Sequence, residues 1–132
     1  MRDNADIPEE LGGVLSSTAD VQSTVASFPY RAHACEVEID IQTGQVFIAR
    51  YIAVDDVGRA VNPMILDGQT HGAIAQGIGE ALMEECSFDD AGQLTSGSFM
   101  DYAMPRAADV PFFETALSEV PSTTHPLGLR GG

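Results

Sequence analysis

A glycine-rich segment at residues 62–85, NPMILDGQTHGAIAQGIGEALMEE, places the strongest constraint on the fold of this chain. Asn62 can cap a helix through its side-chain oxygen, and Pro63 at the first helical position has no N–H to leave unpaired. We therefore predict a helix that begins at Pro63. At about 100° per residue, Gln69 and Gln76 project within roughly 20° of each other, so the two carboxamides share one helix face.

The glycines of this helix need a physical reason. Each interior glycine costs about 1 kcal/mol of helix stability relative to alanine. Such a cost is offset where something approaches the helix closely, either another stretch of backbone or a ligand that the two carboxamides hydrogen-bond. From this segment alone, close approach by another stretch of backbone is favoured over a ligand. On the opposite side, Ile74, Ile78 and Ala81 are predicted to face a core. The interior glycines are Gly68, Gly72, Gly77 and Gly79.

Segments with a two-residue period predict strands on both sides of the helix. Residues 34–40, ACEVEID, alternate apolar and acidic side chains, and residues 45–54, QVFIARYIAV, are β-branched and aromatic, so the two predict a hairpin. Residues 86–96 predict a shorter hairpin, and residues 112–120 a last strand. The expected fold class is α+β, a two-layer arrangement of a mainly antiparallel sheet with one long glycine-rich helix packed across it.

Residues 1–27 differ in character from the rest of the chain. They are polar and acidic, and Pro8 and the Gly12-Gly13 pair interrupt any regular pattern. We interpret residues 1–27 as an arm or connector and residues 28–132 as the folded, partial domain.

The charge of the chain argues against two classes of partner. Twenty acidic residues stand against six arginines and no lysine, which gives a formal net charge of -14. Nucleic acid and membrane surfaces attract basic patches, so we expect neither as a partner. No apolar run approaches the roughly 18 residues of a membrane span, and Cys35 and Cys86 are too few for a disulfide framework. We expect buried thiols and a cytoplasmic location.

Few side chains in the sequence suggest chemistry by themselves, and we predict no catalytic and no metal-ligating residue. Gly77 and Gly79 lie inside a helix instead of at a strand-to-helix turn, which excludes a dinucleotide-binding fingerprint. His33 is interpreted as a structural residue at a strand entrance, and His71 as a hydrogen-bonded core histidine. The adjacent carboxylates at residues 55–56 are predicted to form a turn and to pair with Arg59.

Three blocks of the sequence follow one another along the chain: EVEIDIQTGQVFIARYIAVDDVGRAVNPMILDGQTHGAIAQGIGEALMEE, GSFMDYAMPRAADVPFFE and THPLGLRGG. In this order they resemble the C-terminal part of the large subunit of the molybdenum hydroxylases. This is the xanthine dehydrogenase, aldehyde oxidase and aerobic carbon monoxide dehydrogenase family, and the bacterial carbon monoxide dehydrogenase-like branch is the most similar. The resemblance implies an oxidoreductase that oxidises an aldehyde, a purine or carbon monoxide with water as the oxygen source.

The resemblance implies a cofactor-binding role for the glutamine face of the helix. It implies that Gln69 hydrogen-bonds molybdopterin, that Gln76 lies near the same site, and that Gly72 and Gly77 let the cofactor or a neighbouring loop come close. Carboxamides suit a pterin because each offers both a donor and an acceptor without a charge. The molybdenum cofactor, in its cytosine dinucleotide form, is expected in the complete enzyme and is not expected to bind this chain tightly by itself.

The resemblance also implies partners. Family members continue the tail Gly-x-Lys/Arg-Gly with Gly-Glu, whose glutamate activates the metal-bound hydroxyl, and this sequence stops before that glutamate. We therefore expect a fragment that is inactive alone and that works with the remaining large-subunit domains and with iron–sulfur and flavin subunits. The alternative is a stand-alone, non-catalytic interaction or assembly module that retains the fold and that forms a homo-oligomer or binds a partner.

Overall fold

The computed structural model describes residues 18–20 and 26–131, so most of the 1–27 segment lies outside the described residues. Within them, three strands form one sheet in the order β1-β2-β3, and a single long helix lies between β2 and β3 in sequence. This α+β architecture confirms the predicted fold class. The elements are β1 (Tyr30–Ile39), β2 (Val46–Asp56), α1 (Pro63–Leu82) and β3 (Phe113–Ser118).

The β1–β2 hairpin is the longest pairing in the sheet. The strands run antiparallel from the Tyr30–Asp56 pair to the Ile39–Val46 pair, with a register shift after Glu36. Gly44, at a φ of 75°, closes the turn. The left-handed backbone region at this position is one that glycine adopts without a steric penalty. The predicted hairpin is confirmed, with both strands slightly longer than expected.

The third strand pairs with β2 in parallel. Its register runs from Tyr51 opposite Phe113 to Asp56 opposite Ser118. Parallel neighbours need a crossover connection, and here α1 and the loops that follow it supply that connection. The strand predicted at residues 112–120 is confirmed, although it is shorter at both ends. Because the antiparallel ladder is longer than the parallel one, the sheet is mainly antiparallel, as expected.

Helix α1 begins where its sequence signals place it. The Asn62 side chain accepts a hydrogen bond from the Ile65 N–H at 3.2 Å, and Pro63 is the first helical residue. The helix ends at Leu82, because Met83 leaves the helical backbone region at a φ of -134° and the Glu84 N–H then donates to the Gly79 carbonyl at 2.8 Å. The predicted helix is confirmed, with its end three residues before position 85.

The core is small and lies between α1 and the β2–β3 side of the sheet. Ile74 and Ile78 are 4% and 7% exposed and pack with Ala53 and Phe113. Ala81, predicted to face the core, is exposed. Among the described residues α1 packs against β2 and β3 but not β1, so the helix side that carries Ala81 faces an open groove.

The expectation that both cysteines are buried is wrong. Cys35 and Cys86 are both exposed, where buried thiols were predicted. Cys35 lies on β1, which no helix of the described chain covers, and Cys86 lies in the loop after α1. The short hairpin expected at residues 86–96 is present as one bridge, Phe88 opposite Leu94.

The segment after β3 folds back onto the end of β2. The Arg130 N–H donates to the Val57 carbonyl at 2.8 Å, and the Arg59 N–H donates to the Gly128 carbonyl at 3.0 Å. At Gly58, with a φ of 69°, a Cβ would collide with that Gly128 carbonyl, so only glycine fits.

In the described residues, no helix has both the length and the apolar character that a membrane crossing requires.

Candidate functional site

The glutamine face of α1 is open and has no partners within the described chain. Gln69 and Gln76 are both exposed. The side-chain hydrogen bonds from α1 to other described elements come from Asp67 and Thr70, and neither carboxamide takes part in one. Each carboxamide therefore keeps its donor and acceptor atoms free for a ligand.

The four helix glycines separate into two kinds. A Cβ added at Gly68, Gly72 or Gly77 would meet no heavy atom within 4 Å, so open space lies beside these three positions. At Gly79 a Cβ would lie 2.8 Å from Cγ and Cδ of Pro105 and would collide with the Glu84 carboxylate. Close approach by protein therefore explains Gly79 alone. Free carboxamides beside open space fit a flat heterocyclic ligand such as a pterin.

Among the cavities beside α1, two flank the glutamine face, one on each side. The apolar groove, of about 420 Å³, lies between α1 and the β1–β2 hairpin, with His33, Val37 and Gly77 among its lining residues. The Tyr102 cavity, of about 480 Å³, lies on the other side of the helix. It is lined by Gly72, Ala75, Gln76, Glu84, Tyr102, Met104 and Pro105.

The structure brings only some of the predicted site residues together. Gly72 and Gln76 share the Tyr102 cavity, whereas Gly77 lines the apolar groove across the helix. Gln69 borders neither of these two cavities and lies on the exposed face towards the start of α1. The predicted residues thus form a strip along the helix rather than the lining of one pocket.

Sequence reasoning missed the pair formed by Tyr102 and Glu84. The Tyr102 hydroxyl donates a 2.5 Å hydrogen bond to Glu84 Oε2. This hydrogen bond, together with burial and the negative charge of Glu84, raises the pKa of Tyr102 to about 12. The phenol therefore stays protonated and ties the loop at residues 98–105 to the end of α1. The available signal was the DYAMP block at residues 101–105.

A second missed arrangement surrounds Asp55, whose side chain is 1% exposed. The Thr70 hydroxyl donates to Asp55 Oδ2 at 2.6 Å, His33 Nε2 lies 3.1 Å from Oδ1, and Arg31 Nε lies 3.8 Å from the same oxygen. Burial by itself raises the pKa of the Asp55 carboxyl. The hydrogen bonds from Thr70 and His33 and the charges of Arg31 and His33 outweigh burial, so the pKa lies below its ordinary value.

The predicted pairing of the two carboxylates with Arg59 is wrong. Asp55 shares the buried side of β2 with Ala53, so its carboxylate points at α1, whereas Arg59 follows the turn at Gly58 and is exposed. The predicted turn is present, because the Gly58 N–H donates to Asp56 Oδ1 at 2.9 Å. The arginine nearest to Asp56 is Arg130, with Nε 3.8 Å from Oδ1.

The two histidines predicted to be structural have different surroundings. His33 Nδ1 lies 3.2 Å from the Tyr51 hydroxyl, so both ring nitrogens of His33 have protein partners. His71 was predicted to be hydrogen-bonded, but its buried Nε2 has no hydrogen-bond partner. Asp67 Oδ1 lies 3.7 Å from that nitrogen and accepts a hydrogen bond from Thr115 instead. The His71 ring packs edge-on against Phe112 and Phe113.

Comparison with known proteins identifies the family. The model of the molybdopterin cofactor-binding domain family matches residues 12–111. The chain therefore belongs to this family, and the resemblance drawn from its three sequence blocks is confirmed.

Within residues 18–20 and 26–131, no group of three or more His, Cys, Asp or Glu side chains is arranged to hold a metal ion.

Particular relatives point to the large subunits of molybdenum hydroxylases. The chain is 37% identical over 105 residues to the carbon monoxide dehydrogenase large chain of Afipia carboxidovorans, covering 80% of this chain and 13% of that protein. It is 34% identical over 112 residues to a xanthine dehydrogenase molybdenum-binding subunit of Escherichia coli, covering 84% of this chain and 15% of that protein.

The fold is shared with solved structures. The crystal structure of Cu,Mo-CO dehydrogenase superimposes with a TM-score of 0.74 and 38% identity, covering 78% of this chain and 13% of that chain. The present chain therefore spans a small part, 13% to 15%, of each of these three proteins.

Proposed function

We propose that this chain forms one wall of the molybdopterin site in the large subunit of a molybdenum hydroxylase. The enzyme would oxidise an aldehyde, a purine or carbon monoxide with water as the oxygen source. One observation carries the proposal: Gln69 and Gln76 present free carboxamides on one helix face, beside open space at Gly72 and Gly77. The family match supports it, because its description specifies molybdopterin binding.

The residues of this wall have separate roles in the proposal. Gln69 and Gln76 hydrogen-bond the pterin, since each carboxamide matches a heterocycle edge that mixes donors and acceptors. Gly72 and Gly77 let the ring system lie close to the helix backbone. When bound, the molybdenum cofactor, proposed to be the cytosine dinucleotide form, supplies the redox chemistry, while this chain supplies orientation.

The rest of the site comes from outside this chain. Since the chain spans 13% of a carbon monoxide dehydrogenase large chain, we propose that it is inactive alone. The remaining large-subunit domains would complete the site, and iron–sulfur and flavin subunits would carry the electrons in a cytoplasmic complex. The open apolar groove supports such partners, because Val37 and Ile39 are 47% and 59% exposed where a further layer would pack.

The proposal is tested by metal and pterin content in the assembled enzyme. Gln69→Met and Gln76→Met keep side-chain length and remove the hydrogen-bonding atoms. We expect each variant to lose most of its bound molybdenum and pterin while its thermal stability stays near that of the wild type. Gln42→Met, at an exposed position in the hairpin turn, is the matched control. Full cofactor content in the Gln69→Met/Gln76→Met double variant would contradict the proposal.

The alternative function is a stand-alone, non-catalytic assembly module. It is favoured by the edge strand β1, all of whose residues are exposed beside the apolar groove. In that case the chain would form a homo-oligomer through this edge and would contain no molybdenum. Light scattering of the purified chain separates the two functions, since a monomer that acquires cofactor only with its partners supports the first.

A further inference from the structure

The carboxylate of Asp55 joins three elements of the fold at one buried point. Asp55 is the largest side chain below 2% exposure among the described residues. It lies on β2, accepts a hydrogen bond from Thr70 on α1, and faces His33 and Arg31 on β1. A buried carboxylate is stable only when such partners satisfy it, so this arrangement fixes the relative placement of the three elements.

The position of Thr70 in α1 gives this contact a particular consequence. Thr70 is the first buried residue along the helix, and Ile74 and Ile78 follow one and two turns later. The hydrophobic effect is non-directional, whereas a hydrogen bond requires a particular direction as well as a distance. Gly68 and Gly72, on either side of Thr70, contribute no side chain that could lock the helix.

Two further contacts hold the same half of the helix, but both lie nearer the surface. Asp67 is exposed and accepts a hydrogen bond from Thr115 on β3. The His71 ring packs against Phe112 and Phe113 and has an unpartnered Nε2. The Asp55–Thr70 bond is thus the one fully buried polar contact that we find between α1 and the sheet in the described chain.

We propose that Asp55 is a positioning residue for the glutamine face: through Thr70 it fixes the rotation of α1 that directs the Gln69 carboxamide outward. Thr70 adjoins Gln69 and projects about 100° from it around the helix axis, so burying the hydroxyl determines the direction of the carboxamide. This inference rests on the proposed function for its meaning, but the coupling between Asp55 and Gln69 is a property of this chain alone.

Matched substitutions at Thr70 test the coupling in the 132-residue chain. Thr70→Val keeps the shape and removes the hydroxyl, whereas Thr70→Ser keeps the hydroxyl. We expect Thr70→Val to shift the Gln69 side-chain amide resonance and to speed amide exchange at residues 66–72 roughly tenfold, as for the loss of a hydrogen bond to a charged acceptor. Thr70→Ser should restore both readouts. Thr95→Val removes a comparable hydroxyl bond, to Ser87, outside the helix and should leave Gln69 unchanged.

A second variant and a binding probe make the outcome decisive. Asp55→Asn keeps the acceptor but removes its charge, so its effect on exchange should lie between those of wild type and Thr70→Val. Titration with pterin-6-carboxylate, followed by its fluorescence, should show about tenfold weaker binding for Thr70→Val. An unchanged Gln69 resonance and unchanged exchange in both variants would overturn the inference. If the wild-type chain alone does not bind the probe, as a site completed by other domains predicts, resonance and exchange still decide the positioning role, and the cofactor content of the Gln69→Met/Gln76→Met enzyme decides the pterin contact.

Discussion

The Thr70 hydroxyl lies 2.6 Å from Asp55 Oδ2, and this hydrogen bond links α1 to β2 at a point where both residues are buried. The contact depends on charge as well as geometry, because an ionised carboxylate is a stronger acceptor than a neutral one. Stability and the orientation of the glutamine face therefore share one chemical determinant, the ionisation of Asp55.

The ionisation of Asp55 predicts a pH-dependent stability. Its pKa is lower in the folded chain than the ordinary value of about 3.9, so its stabilising contribution is complete above that value and is lost as the pH falls through the folded pKa. We expect Asp55→Asn to be about 1–3 kcal/mol less stable than wild type at neutral pH, with the difference shrinking below about pH 4. Urea unfolding at several pH values measures it, and Asp90→Asn, at an exposed turn position, is the control. A difference that persists in strong acid would contradict the assignment.

Gly79 and Pro105 predict a steric effect on stability. Because a Cβ at Gly79 would lie 2.8 Å from two Pro105 ring atoms, Gly79→Ala must move the loop or the helix end. Overpacking of this kind costs about 1–3 kcal/mol, and we expect that loss in denaturant unfolding despite the higher helix propensity of alanine. The double variant Gly79→Ala/Pro105→Ala should recover part of the loss, since it removes the ring. A stabilised Gly79→Ala variant would show that Pro105 does not approach the helix closely.

Gly72 predicts the opposite effect on stability. Its Cβ would meet open space, so Gly72→Ala should stabilise the isolated chain by up to about 1 kcal/mol through helix propensity. On the proposed function, the added methyl group lies where the pterin approaches, so cofactor content of the assembled enzyme should fall. Gly68→Ala, also beside open space, should raise stability without that loss. Thermal unfolding and molybdenum analysis measure the two effects, and equal cofactor content in both variants would count against a role for Gly72.

The hydrogen bond between Tyr102 and Glu84 predicts an unusually late tyrosine titration. With its pKa raised to about 12, Tyr102 should ionise last in an absorbance titration of tyrosinate. Tyr102→Phe should remove this final step and should make the loop at residues 98–105 more sensitive to proteolysis. Glu84→Gln keeps a hydrogen-bond acceptor and removes the charge, so it should move the step to lower pH. If the final step survives in Tyr102→Phe, it belongs to another residue.

Local signals in the sequence predict the elements, and long-range contacts explain what they miss. The cap at Asn62, the first-turn Pro63 and the turn at Gly44 each act within a few residues, so the helix start and the hairpin are readable from the sequence. The parallel pairing of β3 with β2 cannot be read from the sequence, because strands that pair across a crossover leave no local sequence pattern.

The candidate site shows the same division. The free carboxamides of Gln69 and Gln76 follow from helical periodicity together with the family resemblance. The partners of Asp55 could not be predicted in this way. Arg31, His33 and Thr70 come from two other elements, and the sequence does not determine how those elements pack. The exposure of Cys35 could not be predicted either, because it depends on which strands the helix covers.

The crossover between β2 and β3 has a consequence for assembly. Strand β3 reaches its parallel place beside β2 only after the chain has passed through α1, and the glutamine face is part of that passage. Deleting or shortening the helix would therefore separate β3 from β2 as well as remove the two carboxamides, while the β1–β2 hairpin, which precedes the helix, would remain. A chain in which β3 pairs with β2 has therefore also placed α1, so the proposed cofactor wall and the third strand form together.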